Sequence, residues 1–65
     1  SLKVFYQEGV KEGVFENLNL DLLVLSDELF FEVLTDADYL SEKGLTLQAA
    51  FSDYFKMRFH GILKP

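Results

Sequence analysis

The apolar positions of this chain concentrate in one stretch, Leu18 to Leu34 (LNLDLLVLSDELFFEVL), which the other residues must fold to cover. Two periodicities meet there. Leu18, Leu20, Leu22 and Val24 alternate with Asn19, Asp21, Leu23 and Leu25, the period of two expected of a strand. A helix would instead gather Val14, Phe15, Leu18, Leu22 and Leu23 on one side. Beyond Asp27 the pattern changes. At about 100° per residue, Leu29, Phe30, Val33, Leu34, Ala37 and Leu40 fall within an arc of about 140°, the core face of a helix. Strand alternation over the same residues would set Phe30 beside Glu28 and Glu32.

The flanks complete the reading. Leu2 to Tyr6 (LKVFY) is β-branched and aromatic, which predicts a strand over 2–7, and Gln7 to Gly13 (QEGVKEG) suits a hairpin loop with a positive-φ glycine. The returning strand is about 14–25. Ser26 and Asp27 are good N-caps, predicting a helix at about 27–43 with a break near Asp36 to Asp38 and Gly44 as its left-handed C′ residue. Thr46 then caps a helix at about 46–60, ended by Gly61. On it Leu47, Ala50, Phe51, Tyr54, Phe55 and Arg58 share one face, opposite Ala49, Ser52, Asp53, Lys56 and His60. Met57 and Phe59 widen its apolar arc to roughly 200°, about double what packing on one surface needs. The expected architecture is α+β, an N-terminal β-hairpin packed on two C-terminal helices, with an all-α fold as the alternative.

Composition sharpens the consequence. With 65 residues the chain is one small domain, and 49% of them are apolar, including seven Phe and three Tyr. That is too hydrophobic for a disordered segment. There is no Cys to form a disulfide or thiolate metal site, so packing alone must stabilise the fold. A monomer of this size removes only about 60% of its unfolded surface from water. Burial in an oligomer or a complex is the expected remedy. The longest apolar run, Leu22 to Leu25, is far short of a membrane span, and no basic start leads into a signal sequence. Ser1 in place of Met suits a trimmed or excised domain, and a soluble, cytoplasmic protein is expected.

The net charge of −5 is uneven. Residues 14–53 hold nine acids and one base, whereas residues 54–65 hold Lys56, Arg58 and Lys64 with no acid. An acidic body disfavours nucleic acid, where Lys and Arg must replace phosphate counterions, and favours basic partners.

No stretch carries a catalytic signature. His60 is the sole histidine, without HExxH spacing or a GxSxG elbow, and its place beside Lys56 and Arg58 suits the negative end of a helix dipole. Asp36, Asp38 and Glu42 (DADYLSE) lack the glycine turn and twelfth-position glutamate of a calcium loop. No catalytic, cofactor or metal residue is assigned, and a non-enzymatic chain is expected.

The signals that remain point to a partner surface. Phe31 and Tyr39 fall off the first helix's core arc, and Met57 and Phe59 flank the second helix. Glu28, Glu32 and Asp36 recur at four-residue spacing although like charges there cost a helix a few tenths of a kcal/mol per pair. The expectation is a protein–protein interaction module or small oligomeric subunit, with Phe31, Tyr39, Met57 and Phe59 as the apolar contact and Glu28, Glu32 and Asp36 at its rim. The alternative is a helix-turn-helix-like DNA-binding regulator using residues 37–60. Its second helix offers Thr46, Gln48, Ala49, Ser52 and Asp53 before its first base, Lys56, which favours an ordinary helical hairpin.

Overall fold

A computed structural model describes all of Ser1–Pro65 and contains four helices: α1 (Leu2–Lys11), α2 (Leu20–Leu34), α3 (Ala37–Glu42) and α4 (Leu47–Ile62). Each begins at a residue whose side chain caps it. Ser1, Asn19, Asp36 and Thr46 accept hydrogen bonds from the backbone N–H of Val4, Leu22, Tyr39 and Ala49 respectively. Each side chain thereby satisfies one of the orphan donors of a first turn. Two helices also end alike. Gly13 (φ 77°) and Gly44 (φ 70°) follow α1 and α3 in the left-handed region. Val14 N–H then donates to Gly9 C=O and Leu45 N–H to Leu40 C=O, the six-to-one bond of a Schellman motif. The expected C′ role of Gly44, the cap at Thr46 and the break near Asp36 all hold.

The α+β expectation is overturned: the fold is all-α, with no sheet. Residues 2–7 are helical because Leu2, Tyr6 and Val10, one turn apart, reach the same core. The pair Gly9 and Gly13, read as a hairpin loop, has two other duties. Gly13 stops the helix. Gly9 lies inside it, where a Cβ would overlap the Phe15 ring, so its bare backbone lets Phe15 close on α1. Residues 14–25 are a connection followed by the first turns of α2. Leu20 to Leu25 is apolar at nearly every position, so alternation there distinguishes nothing. The N-cap reading of Ser26 and Asp27 also fails: α2 starts seven residues earlier, at Asn19, and Asp27 lies in its middle, fully buried. The one β-like contact is an isolated bridge between Phe15 and Leu63, where Glu16 N–H donates to Ile62 C=O at 2.7 Å.

Helix α2, the most apolar stretch, is the element against which α1, α3 and α4 all pack. It runs antiparallel to α4: Leu23 joins Ile62 in the core, Phe30 stacks on Tyr54 with centroids 3.9 Å apart, and Phe31 stacks on Phe51 at 6.4 Å. The interior is sparse. Tyr6, Phe15, Leu23 and Ile62 form one buried cluster, while Leu40 and Ala50 are buried apart from it. Only seven of the 65 residues are buried, and one of these is a carboxylate. The radius of gyration is 13.3 Å, against about 11 Å for a compact domain of this length. No helix is long and apolar enough to cross a membrane.

Candidate functional site

The chemistry most concentrated inside the protein lies around Asp27. Its carboxylate, 0% exposed, accepts hydrogen bonds from the Tyr6 hydroxyl on Oδ2 and from the Tyr54 hydroxyl (2.5 Å) and Arg58 Nε (3.0 Å) on Oδ1. Arg58 Nη2 also donates to the Tyr54 oxygen at 2.8 Å. Three helices thus meet at one charge. Burial pushes the Tyr6 hydroxyl well above the usual tyrosine range, and donation to Asp27 adds to the shift because ionisation would forfeit that bond. Tyr54 rises for the same reasons in the same order. For Arg58, burial opposes the charged form, but the hydrogen bonds with Asp27 and Tyr54 prevail and its pKa is raised.

This cluster resembles an acid–base site in composition, but no buried polar side-chain atom in it lacks a hydrogen-bond partner. Neither surface groove of the protein is lined by Asp27, Tyr6, Tyr54 or Arg58. Its arrangement is that of a structural ion pair. The sequence held one clue to it. Arg58 falls on the same helical face as Leu47, Ala50, Phe51 and Phe55, where a cation needs a buried partner.

The surface offers two openings. The first is a groove of about 360 Å³ on α2 and α3, lined by Leu29, Val33 and Tyr39 with Glu32 and Asp36. It unites three of the seven residues expected to face a partner: Glu32, Asp36 and Tyr39. Helix α2 ends at Leu34, and Asp36 caps α3, so the break between the two helices carries the acidic row into the groove. Glu28 is exposed one turn earlier on α2. Two ion pairs exist in the protein, Lys3–Asp21 at 2.8 Å and Arg58–Asp27, so none of Glu28, Glu32 and Asp36 is engaged in one. One cation does stand near: Lys43 Nζ lies 5.6 Å from the Tyr39 ring centroid. The ring therefore already presents a face to an ammonium group.

The second opening, about 300 Å³, lies between α1 and α4 and is lined by Leu2, Phe5, Phe51, Phe55 and Phe59. Of the remaining expected contacts, Phe59 belongs here and also packs on the core, and Phe31 lies half-buried against Phe51 and Phe55. Met57 is 68% exposed and lines neither groove. The seven residues therefore do not form one patch. Phe5, Leu29 and Val33 are surface residues that sequence periodicity assigned to interior faces or to a strand. No group of His, Asp and Glu side chains is arranged to hold a metal ion. Residues 37–60 do form two helices joined at Gly44, and the exposed start of α4 carries Gln48, Ala49, Ser52 and Asp53 ahead of Lys56. No known protein family, curated protein or solved structure matches the chain.

Proposed function

We propose that this chain is a non-enzymatic interaction module whose acidic, aromatic groove on α2 and α3 receives a basic segment of another protein. The observation that carries this reading is the groove itself. Leu29, Val33 and Tyr39 give the groove an apolar lining, and Glu32 and Asp36 line it without an ion-pair partner. A helical segment with apolar residues one turn apart and Lys or Arg beside them matches both features, the helix-in-groove mode of recognition. The acid stripe steers such a segment and fixes its register, and the apolar lining supplies most of the affinity. Neither a membrane surface, which is anionic, nor a nucleic acid would be drawn to it.

The test is titration of a labelled lysine–leucine amphipathic peptide, followed by fluorescence anisotropy. Binding should weaken as salt is raised, because the charges lining the groove are exposed. Tyr39→Ala should weaken it about tenfold, the effect of a moderate interface contact. The pair Glu32→Gln with Asp36→Asn should abolish most of the salt dependence while leaving α3 capped, since Asn caps as well as Asp. Binding that ignores both changes would place the partner elsewhere and overturn the reading.

A further inference from the structure

Helix α4 has more than one apolar face. Ala50, Tyr54 and Arg58 serve the interior contact with α2. Leu47, Phe51, Phe55 and Phe59 recur at every fourth position, a ridge about 18 Å long at 1.5 Å per residue. Phe51 is 48% exposed, and beside the ridge α1 contributes Leu2 and Phe5, the latter 49% exposed. Phe51, Phe55 and Phe59 thus form both the ridge and the α4 wall of the trough, and no charged residue lines the trough.

We propose that this face is covered by a second copy of the chain, in a twofold dimer in which the α4 ridge of each protomer enters the α1–α4 trough of the other. Three observations select that occupant. A twofold interface uses the same patch on both subunits, so the patch must present both a projection and its complement, as this one does. Ridges of fourth-residue spacing interdigitate with one another at an interaxial angle near −50°, the commonest way for two helices to pack. Charge favours this groove over the other: its lining is uncharged, whereas a second acidic chain meeting the α2–α3 groove would face Glu32 and Asp36.

The chain has surface to spare: a 7.5 kDa monomer is expected to expose about 4,250 Å², whereas this one, elongated at 39 × 21 × 14 Å, exposes 4862 Å². The dimer leaves the acidic groove free, so it stands or falls independently of the basic-peptide reading.

Sedimentation equilibrium across a dilution series tests the proposal. The chain should reach twice its 7.5 kDa mass at high concentration and dissociate on dilution. Added salt should tighten the association, because it screens the repulsion between two acidic bodies. Phe51→Glu should weaken the dimer roughly a hundredfold, since each copy then buries an unpaired charge in the partner's trough. Met57→Glu, outside the trough, should leave the mass unchanged, and Phe51→Glu should still bind the basic peptide. Amide and methyl NMR shifts of the unaltered chain provide a readout that needs no variant. Dilution should move Leu2, Phe5, Phe51, Phe55 and Phe59 and spare Leu29, Val33 and Tyr39. A chain that is monomeric at every concentration overturns the proposal. So does a dimer whose dilution shifts map to the acidic groove, or one that survives Phe51→Glu in a folded protein.

Discussion

Asp27 offers the sharpest test of how this fold is held. Replacement by Leu keeps the number and branching of side-chain heavy atoms but removes the acceptor of three hydrogen bonds, those from Tyr6, Tyr54 and Arg58. Tyr6 is 0% exposed, so no water can take over its bond, and the Arg58 guanidinium, with 18% of its side chain exposed, loses its counter-ion. Removing one partner of a buried ion pair costs about 3–5 kcal/mol, because the survivor is left charged and unpaired. A domain of 65 residues at ~0.05–0.15 kcal/mol per residue has only about 3–10 kcal/mol in total. Asp27→Leu should therefore remove most of the stability in urea denaturation followed by far-UV circular dichroism. The fourfold variant Asp27→Leu, Tyr6→Phe, Tyr54→Phe, Arg58→Met removes every polar member together. Apolar replacement of a whole buried ionic cluster is neutral or stabilising by about 1–4 kcal/mol. The fourfold variant should thus recover at least wild-type stability, a reversal no additive scheme produces. If Asp27→Leu costs less than about 1 kcal/mol, or if the fourfold variant is as damaged as the single one, the cluster does not support the fold in the way described.

Other consequences follow from particular contacts. Gly9→Ala should lower stability by about 1–3 kcal/mol although alanine favours helices, because its Cβ must displace the buried Phe15 ring, whose Cγ would lie 2.9 Å away. Gly61→Ala, in α4 with nothing near its Cβ, should raise the melting temperature, the helix gaining about 0.5–1 kcal/mol. Raised tyrosine pKa values make the fold alkali-sensitive. The unfolded chain releases the Tyr6 and Tyr54 protons near the ordinary value of 10.0, and the folded chain only above it. Their contribution to stability is therefore complete below that pH and is lost as pH rises past it. In a Tyr39→Phe background, tyrosinate absorbance should appear together with loss of ellipticity, and ionisation with the helices intact would contradict the geometry.

Much of the helical punctuation was legible in the sequence, whereas the N-terminal third was not. Thr46, Gly44 and the break at Asp36 are read correctly because caps and left-handed stops act through backbone groups within a few residues. The same rules, applied to Ser1, Asn19 and Gly13, would have outlined α1 and the start of α2. They lost to β-branched and aromatic composition in LKVFY, a weak local preference that packing of Leu2, Tyr6 and Val10 overrides. Alternation at Leu18 to Val24 misled because a run apolar at almost every position fits any period. Asp27 was beyond local reasoning. Its partners are 21, 27 and 31 residues away, and only the fold brings them together.

That buried charge accounts for the character of the surface as well. In so short a chain, the middle of α2 is where aromatic side chains from α1 and α4 would otherwise converge. Asp27, Tyr54 and Arg58 occupy that position, and Leu40 and Ala50 are buried apart from the cluster of Tyr6, Phe15, Leu23 and Ile62. Phe5 and Phe51, with nowhere further in to go, remain half-exposed beside one another's helices. A polar interior of fixed geometry and an uncovered aromatic face are thus two results of one substitution of charge for hydrocarbon. Phe5 and Phe51 are accordingly the phenylalanines left most open to solvent, and Glu32 and Asp36 are acids left outside any ion pair.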